Sequence, residues 1–203
     1  RDKRGGLVGS EMCIRDRVNS MNALRYQGIN IDAFWLHSLR CGIIARLIAK
    51  SIGGSNSEVL FLAGILHDLG ILVIYQQDAA LADAVKRQME EQHQLRDQAE
   101  REVMGFDHAE VGALLIDAWG LSPALVELTR CHHQYQLAQT DPRSAMILSL
   151  ANLLTNNDQL SAGETDIRHE VLIEQLELDK SSLVDIVETG EQQCEEVKSI
   201  VLG

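Results

Sequence analysis

The stretch EVLFLAGILHDLGILVIY, residues 58–75, decides the fold: it is apolar on all sides apart from Glu58, the pair His67-Asp68 and the Tyr75 hydroxyl. A segment without a wet face has to lie inside the protein. Its last part, ILVIY, has the branched residues of a strand, but no turn signal precedes it and no partner strand is evident, so the whole run reads as buried helix. Ser55 followed by Glu58 has the spacing of a capping box that would open this helix. Before it, Trp35, Leu39, Ile43 and Leu47 recur at helical spacing between Ala33 and Lys50, and Gly53-Gly54 stops the pattern. After it, residues 79–103 are charged and polar with Leu81, Val85, Met89, Leu95 and Val103 spaced along them, which predicts one long helix with a solvated face. Asp107 and Glu110 form a second capping-box pattern before a helix ending at Gly120, and Ser122-Pro123 starts a helix over 123–133. Asp141-Pro142 precedes an apolar helix over 143–155, NNDQLSAGET is a polar loop, and a final helical pair follows, its second member starting near Asp179.

The composition agrees with this pattern. With 203 residues, 45% of them apolar, the chain can bury a real core in one domain of middling size. Two prolines and only eight aromatics (two Trp, three Tyr, three Phe) favour helix over the turn-rich usage of an all-β domain, so the expected class is all-α. A formal charge of -12 repels a phosphate backbone, which excludes nucleic acid as the expected partner. No uninterrupted apolar run approaches the ~20 residues that cross a bilayer, so no membrane span is expected. Cys13, Cys41, Cys131 and Cys194 are scattered and form no CxxC pair, which suits a reducing cytoplasm.

Residues 1–17, RDKRGGLVGSEMCIRDR, stand apart. Five basic and three acidic side chains give them +2, leaving -12 minus 2, or -14, for residues 18–203. They have no apolar period and no apolar core of the ~7–15 residues a signal peptide needs. They read as a non-native, adapter-derived stretch or a disordered basic arm, and the helical domain is assigned to 18–203.

The histidines carry the chemistry, because imidazole is both a common metal ligand and a proton carrier near neutral pH. His37 lies on the first apolar helix, His67-Asp68 sits in the most buried segment, His108 starts its own helix, and His132-His133 close another. Each alone is explained by a hydrogen-bonded core position, and His67-Asp68 by a buried ion pair. Together, His67 and Asp68 could ligate one ion only with support from other helices, such as His37 and, as a weak neutral ligand, Asn152. His93 and His169 fall in polar stretches and read as surface residues, Asp107 as a cap alone, and Trp35, Trp119 and the methionines as core. Cys131 and His132 are adjacent on a helix and do not face each other, so a thiol nucleophile is not expected.

The ordered set FWLHSL, FLAGILHDLG, GFDHAEVGALLIDAWGLS, CHHQ and LSLANLL resembles the HDOD domain, an HD-related output domain of bacterial signalling proteins, over residues 34–155. The resemblance implies an all-α bundle of the HD-domain type, here lacking its N-terminal helical half. That absence would leave apolar surface of the first helix uncovered and lower solubility. Through the related metal-dependent phosphohydrolases it implies His37, His67 and Asp68 as ligands of a first metal. His108, His132 and His133 would be the extra ligands of multi-metal HD-GYP enzymes, which cleave cyclic di-GMP. Three positions depart from that enzyme pattern: Asn152 stands for the final Asp, Ile71 for a Lys after HDxG, and no GYP follows His132-His133. The implied function is therefore a regulatory output domain, acting through contacts with other signalling proteins or domains and retaining a divalent metal (Fe, Mn, Zn or Ni). The alternatives are a metal-dependent phosphohydrolase or cyclic-dinucleotide phosphodiesterase, with Asp68 in the catalytic set, and a module that holds a nucleotide ligand without turnover.

Overall fold

The computed structural model describes residues 29–54, 56–156 and 167–202, so the reading of residues 1–17 and the Ser55 cap lie outside the described residues. Every regular element among the described residues is helical: α1 (Ile31–Ser51), α2 (Ser57–Leu66), α3 (Leu69–Gln77), α4 (Ala79–Gln92), α5 (Arg96–Met104), α6 (His108–Ala118), α7 (Pro123–Cys131), a 3-10 turn (Tyr135–Leu137), α8 (Pro142–Thr155), α9 (Ile167–Gln175) and α10 (Lys180–Leu202). The all-α expectation holds. Side-chain oxygens satisfy the free N–H groups at most helix starts: Asn30 caps Ala33, Asp78 caps Leu81, Asp107 caps Glu110 and Asp141 caps Ser144, each at about 3.0 Å. At α2 no side chain caps the helix; the Asn56 amide donates instead to Asp141 Oδ2 at 3.0 Å, tying the start of α2 to the start of α8.

α1 packs on α2, α8 and α10. Its buried face is centred on Phe34, Ser38, Cys41, Ala45 and Ile48, one position round from the Trp35-Leu39-Ile43-Leu47 stripe, of which Ile43 is buried as expected while Leu39 and Leu47 are half-buried. The reason is close approach: a Cβ at Gly64 of α2 would stand 2.4 Å from Gly42 Cα, so these two glycines define where the helices cross. Trp35 is rotated outwards and is 44% exposed, against the expectation of a core residue, though its ring still meets Phe34 edge-on. Trp119, expected in the core as well, is 56% exposed at the end of α6, while Met89, Met104 and Met146 are half-buried.

Two apolar clusters result. The larger joins α1, α2, α7, α8, α9 and α10 around Ile44, Ile48, Leu60, Leu128, Leu148 and Leu172. The smaller joins α1, α3 and α4 around Phe34, Leu69, Leu72, Ile74 and Ala82. Leu66 packs against both, and the chain bends at the next two residues, His67 and Asp68, so this pair lies at the seam. The run Ser57–Gln77 is long and apolar enough by length and composition to cross a membrane, which the absence of an unbroken apolar run did not suggest; half of it is buried within the fold.

The charged segment 79–103 is two helices, not one. His93 adopts a left-handed backbone, φ 51°, and its N–H closes on Met89 O, after which Leu95 is extended and α5 begins. α5 thereby folds back on α4, with Gln88 and Gln94 both donating to Glu102. Its inner face buries Asp97, Ala99 and Glu100, so the charge run is only partly a solvated face.

One carboxylate anchors the approach to α8. Glu127 accepts from the N–H of Gln139 (2.9 Å), Thr140 (3.1 Å) and Asp141 (3.4 Å), and from the Thr140 hydroxyl (3.2 Å). Partial burial would raise its pKa, but these bonds outweigh that effect and lower it. A depressed folded pKa contributes stability that is present above the unfolded value and lost as pH falls through the folded one. Glu127→Gln is expected to cost about 1 kcal/mol near neutral pH, a fall of roughly 2–4 °C in melting temperature, narrowing below about pH 4. Thermal melts at pH 7 and pH 3.5 check this, and an equal gap at both would contradict it.

Candidate metal centre

The bend between α2 and α3 brings His67 and Asp68, adjacent in sequence, to one point. His67 Nε2 lies 3.2 Å from Asp68 Oδ2, and His37 Nε2, arriving from α1, lies 3.4 Å from the same oxygen and 3.4 Å from His67 Nε2. The other carboxylate oxygen, Oδ1, faces a second pair: His108 Nε2 from the start of α6 at 3.3 Å and His132 Nε2 from the turn after α7 at 3.6 Å. His133 Nε2 is 2.9 Å from His108 Nε2. The six residues form two groups that share Asp68, His37-His67-Asp68 and Asp68-His108-His132-His133, and the ligand atoms within each group lie within 4.8 Å of one another.

The outer bonds orient the rings. His67 Nδ1 donates to Gly64 O at 2.8 Å and His132 Nδ1 to Thr129 O at 2.7 Å, which leaves each Nε2 with its lone pair turned inwards. His132 Nε2 is buried and has no hydrogen-bond partner. An unsatisfied imidazole nitrogen next to a carboxylate and three other histidines is the chemistry of a divalent-metal site, and the residues fit such an ion. The Ser149 hydroxyl holds the His132 carbonyl at 2.6 Å and so fixes the 132–133 turn to α8.

Glu100, which sequence reasoning passed over, is part of this framework. It is 1% exposed, and its Oε2 accepts from the His108 backbone N–H at 2.8 Å and contacts His108 Nδ1 at 2.6 Å. The only signal was a carboxylate eight residues before a helix-starting histidine, within a run read as solvation. Asp107 does more than cap α6: its Oδ2 also pairs with Arg101, whose Nε and Nη2 lie 3.0 and 2.5 Å away. Burial alone would raise the Asp68 carboxyl, but the surrounding imidazoles of His67, His108, His132 and His37 hold it well below the usual carboxylate range. Burial likewise opposes charge on His108, yet Asp68 and Glu100 push it up to about 10. Burial, with the neighbouring His132 and His108, pushes His133 well below the ordinary imidazole value.

A cavity of about 410 Å³ opens over the cluster, with His37, Asp68, His108 and His133 in its floor. Asn152 is buried in its wall on α8, and its amide oxygen accepts from Asn156 Nδ2 at 3.0 Å. Ile71 also lines it. His93 is exposed, as read from sequence. His169, read as a surface residue, is 5% exposed with Nε2 unpartnered; α9 lays that face on α8, which the polarity of its neighbours in sequence concealed.

If Glu100 orients the second group, Glu100→Ala is expected to weaken divalent-metal binding about 10–100-fold while leaving the His37 side less affected. Competition titration with a chelating indicator would check this; unchanged affinity would remove Glu100 from the site.

No curated protein matches the chain. Among solved structures it is similar to a protein from Shewanella amazonensis described as a candidate phosphohydrolase (TM-score 0.65, 26% identity, covering 81% of this chain and 61% of that one). It is also similar to an HDOD domain protein of unknown function from Geobacter sulfurreducens (0.59, 24%, 81% and 63%). A third likeness is to a candidate signal transduction protein from Marinobacter aquaeolei (0.69, 20%, 82% and 38%). The chain thus spans less than two thirds of the length of each. The HDOD domain model matches residues 12–135, more than half of the sequence, a span that includes all six clustered His and Asp positions and helices α1 to α7. With that match and an all-helical fold shared with these structures, the chain belongs to the HDOD domain family.

Proposed function

We propose that this chain is a regulatory output domain of a bacterial signalling protein, working in the cytoplasm through contacts with other signalling proteins or domains. In this reading its histidine cluster holds divalent metal without hydrolysing a phosphoester. His37, His67 and Asp68 would hold one ion, and Asp68, His108, His132 and His133 a second, with Fe, Mn, Zn and Ni all compatible with this donor set. Bound divalent ions would acidify a water and polarise phosphoryl oxygens. The observation that carries the non-hydrolytic reading is the wall of the cavity. Asn152, a neutral amide whose oxygen is engaged by Asn156, and the aliphatic Ile71 stand where the resemblance implies a carboxylate and a lysine in the hydrolytic relatives. Leu114 and Trp119, exposed on α6 and its C-terminal turn, support a role in protein contacts.

The test is to load the full chain with Mn or Fe, count metal by mass spectrometry, and assay bis(p-nitrophenyl) phosphate and cyclic di-GMP. Bound metal, lost in His67→Ala/Asp68→Ala, with no turnover is the expected result. Metal-dependent turnover lost in the double variant would establish the phosphohydrolase reading instead. Asn152→Asp adds a direct comparison: activity appearing with that one change would show an enzyme lacking a single ligand.

A further inference from the structure

α6 carries His108 at its first residue and an uncovered apolar patch at its other end. Leu114 is 64% and Trp119 56% exposed, and Ala118 and Leu121 are exposed with them. Helical spacing puts Leu114 and Ala118 on one face, together with the exposed carboxylates Glu110 and Asp117. The turn that follows is pinned at both ends. Gly120 takes a left-handed φ of 71°, its N–H donates to Asp117 O at 2.9 Å, and Leu121 N–H donates to Ile116 O at 3.2 Å. The Ser122 hydroxyl then accepts from Leu125 N–H at 3.4 Å and opens α7. Trp119 and Leu121 are thus presented on a fixed backbone, which lowers the ordering cost of binding. We infer that this patch is the docking face for an amphipathic helix of a partner protein, one whose apolar row is bordered by Lys or Arg.

The inference rests on the output-domain reading above and adds the chemistry of its partner. Charge selects the occupant. Between Arg101 and Arg130 the sequence has five acidic residues and no Lys or Arg. α6 packs on α3, α5 and α7, and α3 has no charged side chain. The two arginines of α5 face carboxylates near the His108 end, Arg96 towards Glu100 at 3.8 Å and Arg101 paired with Asp107. Arg130 stands in the last turn of α7, about 12 Å along that helix from Ser122. The patch therefore has an acidic border. A second copy would bring Glu110 and Asp117 against their own kind across a two-fold axis, in a chain of net charge -12, and an anionic membrane would meet the same repulsion. Cations beside an apolar row reverse the sign: Leu114 and the Trp119 indole supply the buried anchor, while the two carboxylates steer and align the partner. Leu114 and Ala118, one turn apart, form a ridge of the kind on which a second helix packs through its own i, i+4 row.

The experiment titrates the full chain into labelled synthetic peptides of about 18 residues, five helical turns, followed by fluorescence anisotropy. One peptide has Leu on one helical face and Lys on the other, a second has Leu and Glu, and a third scrambles the Leu/Lys order so that no apolar face forms. The proteins are wild type, Leu114→Ser, Trp119→Ala, Glu110→Gln/Asp117→Asn and, as a remote control, Val184→Ser at an exposed apolar site on α10. These are surface changes, and circular dichroism is expected to show every variant folded. The Leu/Lys peptide should bind wild type and Val184→Ser alike, and lose about tenfold or more in affinity with Leu114→Ser or Trp119→Ala. The double carboxamide variant should lose about threefold at low salt. No binding by wild type, or equal affinity in wild type, Leu114→Ser and Trp119→Ala, overturns the docking face and leaves the output-domain reading standing. Equal affinity for the scrambled peptide overturns the helical partner, and equal affinity for the Leu/Glu peptide overturns the basic one. A dimer in sedimentation velocity that Trp119→Ala dissociates would make a second copy the occupant, and binding to phosphatidylcholine/phosphatidylglycerol vesicles that Trp119→Ala abolishes would make it a membrane; either overturns the proposal. Metal-dependent turnover of bis(p-nitrophenyl) phosphate by the same samples overturns the output-domain reading, independently of the peptide result.

Discussion

Asp68→Asn is expected to weaken metal binding at both halves of the centre at once, by about 100-fold or more at each, since even outer-shell changes typically cost 10–100-fold. The argument is geometric. Oδ2 of Asp68 serves His37 and His67, and Oδ1 serves His108 and His132, so a single side chain is common to both groups. An amide keeps the shape but offers one neutral oxygen and a donor NH2, which cannot face two cations. His37→Ala and His133→Ala provide the contrast: each touches one group only, and each should reduce metal content by one half of the site. Metal-to-protein ratios by mass spectrometry would separate the cases, with circular dichroism showing that each variant is folded. Full metal content in Asp68→Asn would mean that the carboxylate is not the shared ligand.

Gly70→Ala is the second large effect, and it acts through the backbone. A Cβ at position 70 would stand 2.0 Å from His108 O and 2.8 Å from Gly112 N, both main-chain atoms of α6 that cannot swing aside. The helices must separate, and α3 carries Asp68 at its start while α6 carries His108 at its start. Overpacking against backbone is expected to cost about 3 kcal/mol or more, a fall of roughly 6–12 °C in melting temperature for a chain of this size. It should also open the Asp68–His108 contact, so the folded variant is expected to lose metal at the second group before the first. A melting temperature within 2 °C of wild type, with metal content unchanged, would show that α3 and α6 tolerate separation.

Much of this centre is legible in the sequence because its donors sit where helices begin, end or bend. His108 follows a capping Asp107, His132-His133 follow the last turn of α7, and His67-Asp68 interrupt the most apolar segment; each position is a polar residue that local patterning leaves unexplained. The six side chains lie together in two groups that share Asp68. What the sequence hides depends on tertiary contact. Glu100 looks like any carboxylate of a wet helix until the left-handed His93 folds α5 back and turns it under His108. A helix break made by histidine carries no glycine or proline signal, so 79–103 reads as continuous. The face of α1 is shifted by a glycine contact, Gly42 against Gly64, that outweighs the placement of Trp35. The buried His169 lies on α9, whose polar composition says nothing of the α8 surface it covers.

The claim that most needs direct observation is that Asp68 joins two metal positions. Anomalous diffraction from crystals of the manganese- or iron-loaded chain, recorded at the metal edge, would decide it. The account predicts two peaks flanking the Asp68 carboxylate, one beside His37 and His67 and one beside His108, His132 and His133. A single peak, or none in a folded chain reconstituted with metal, would contradict it.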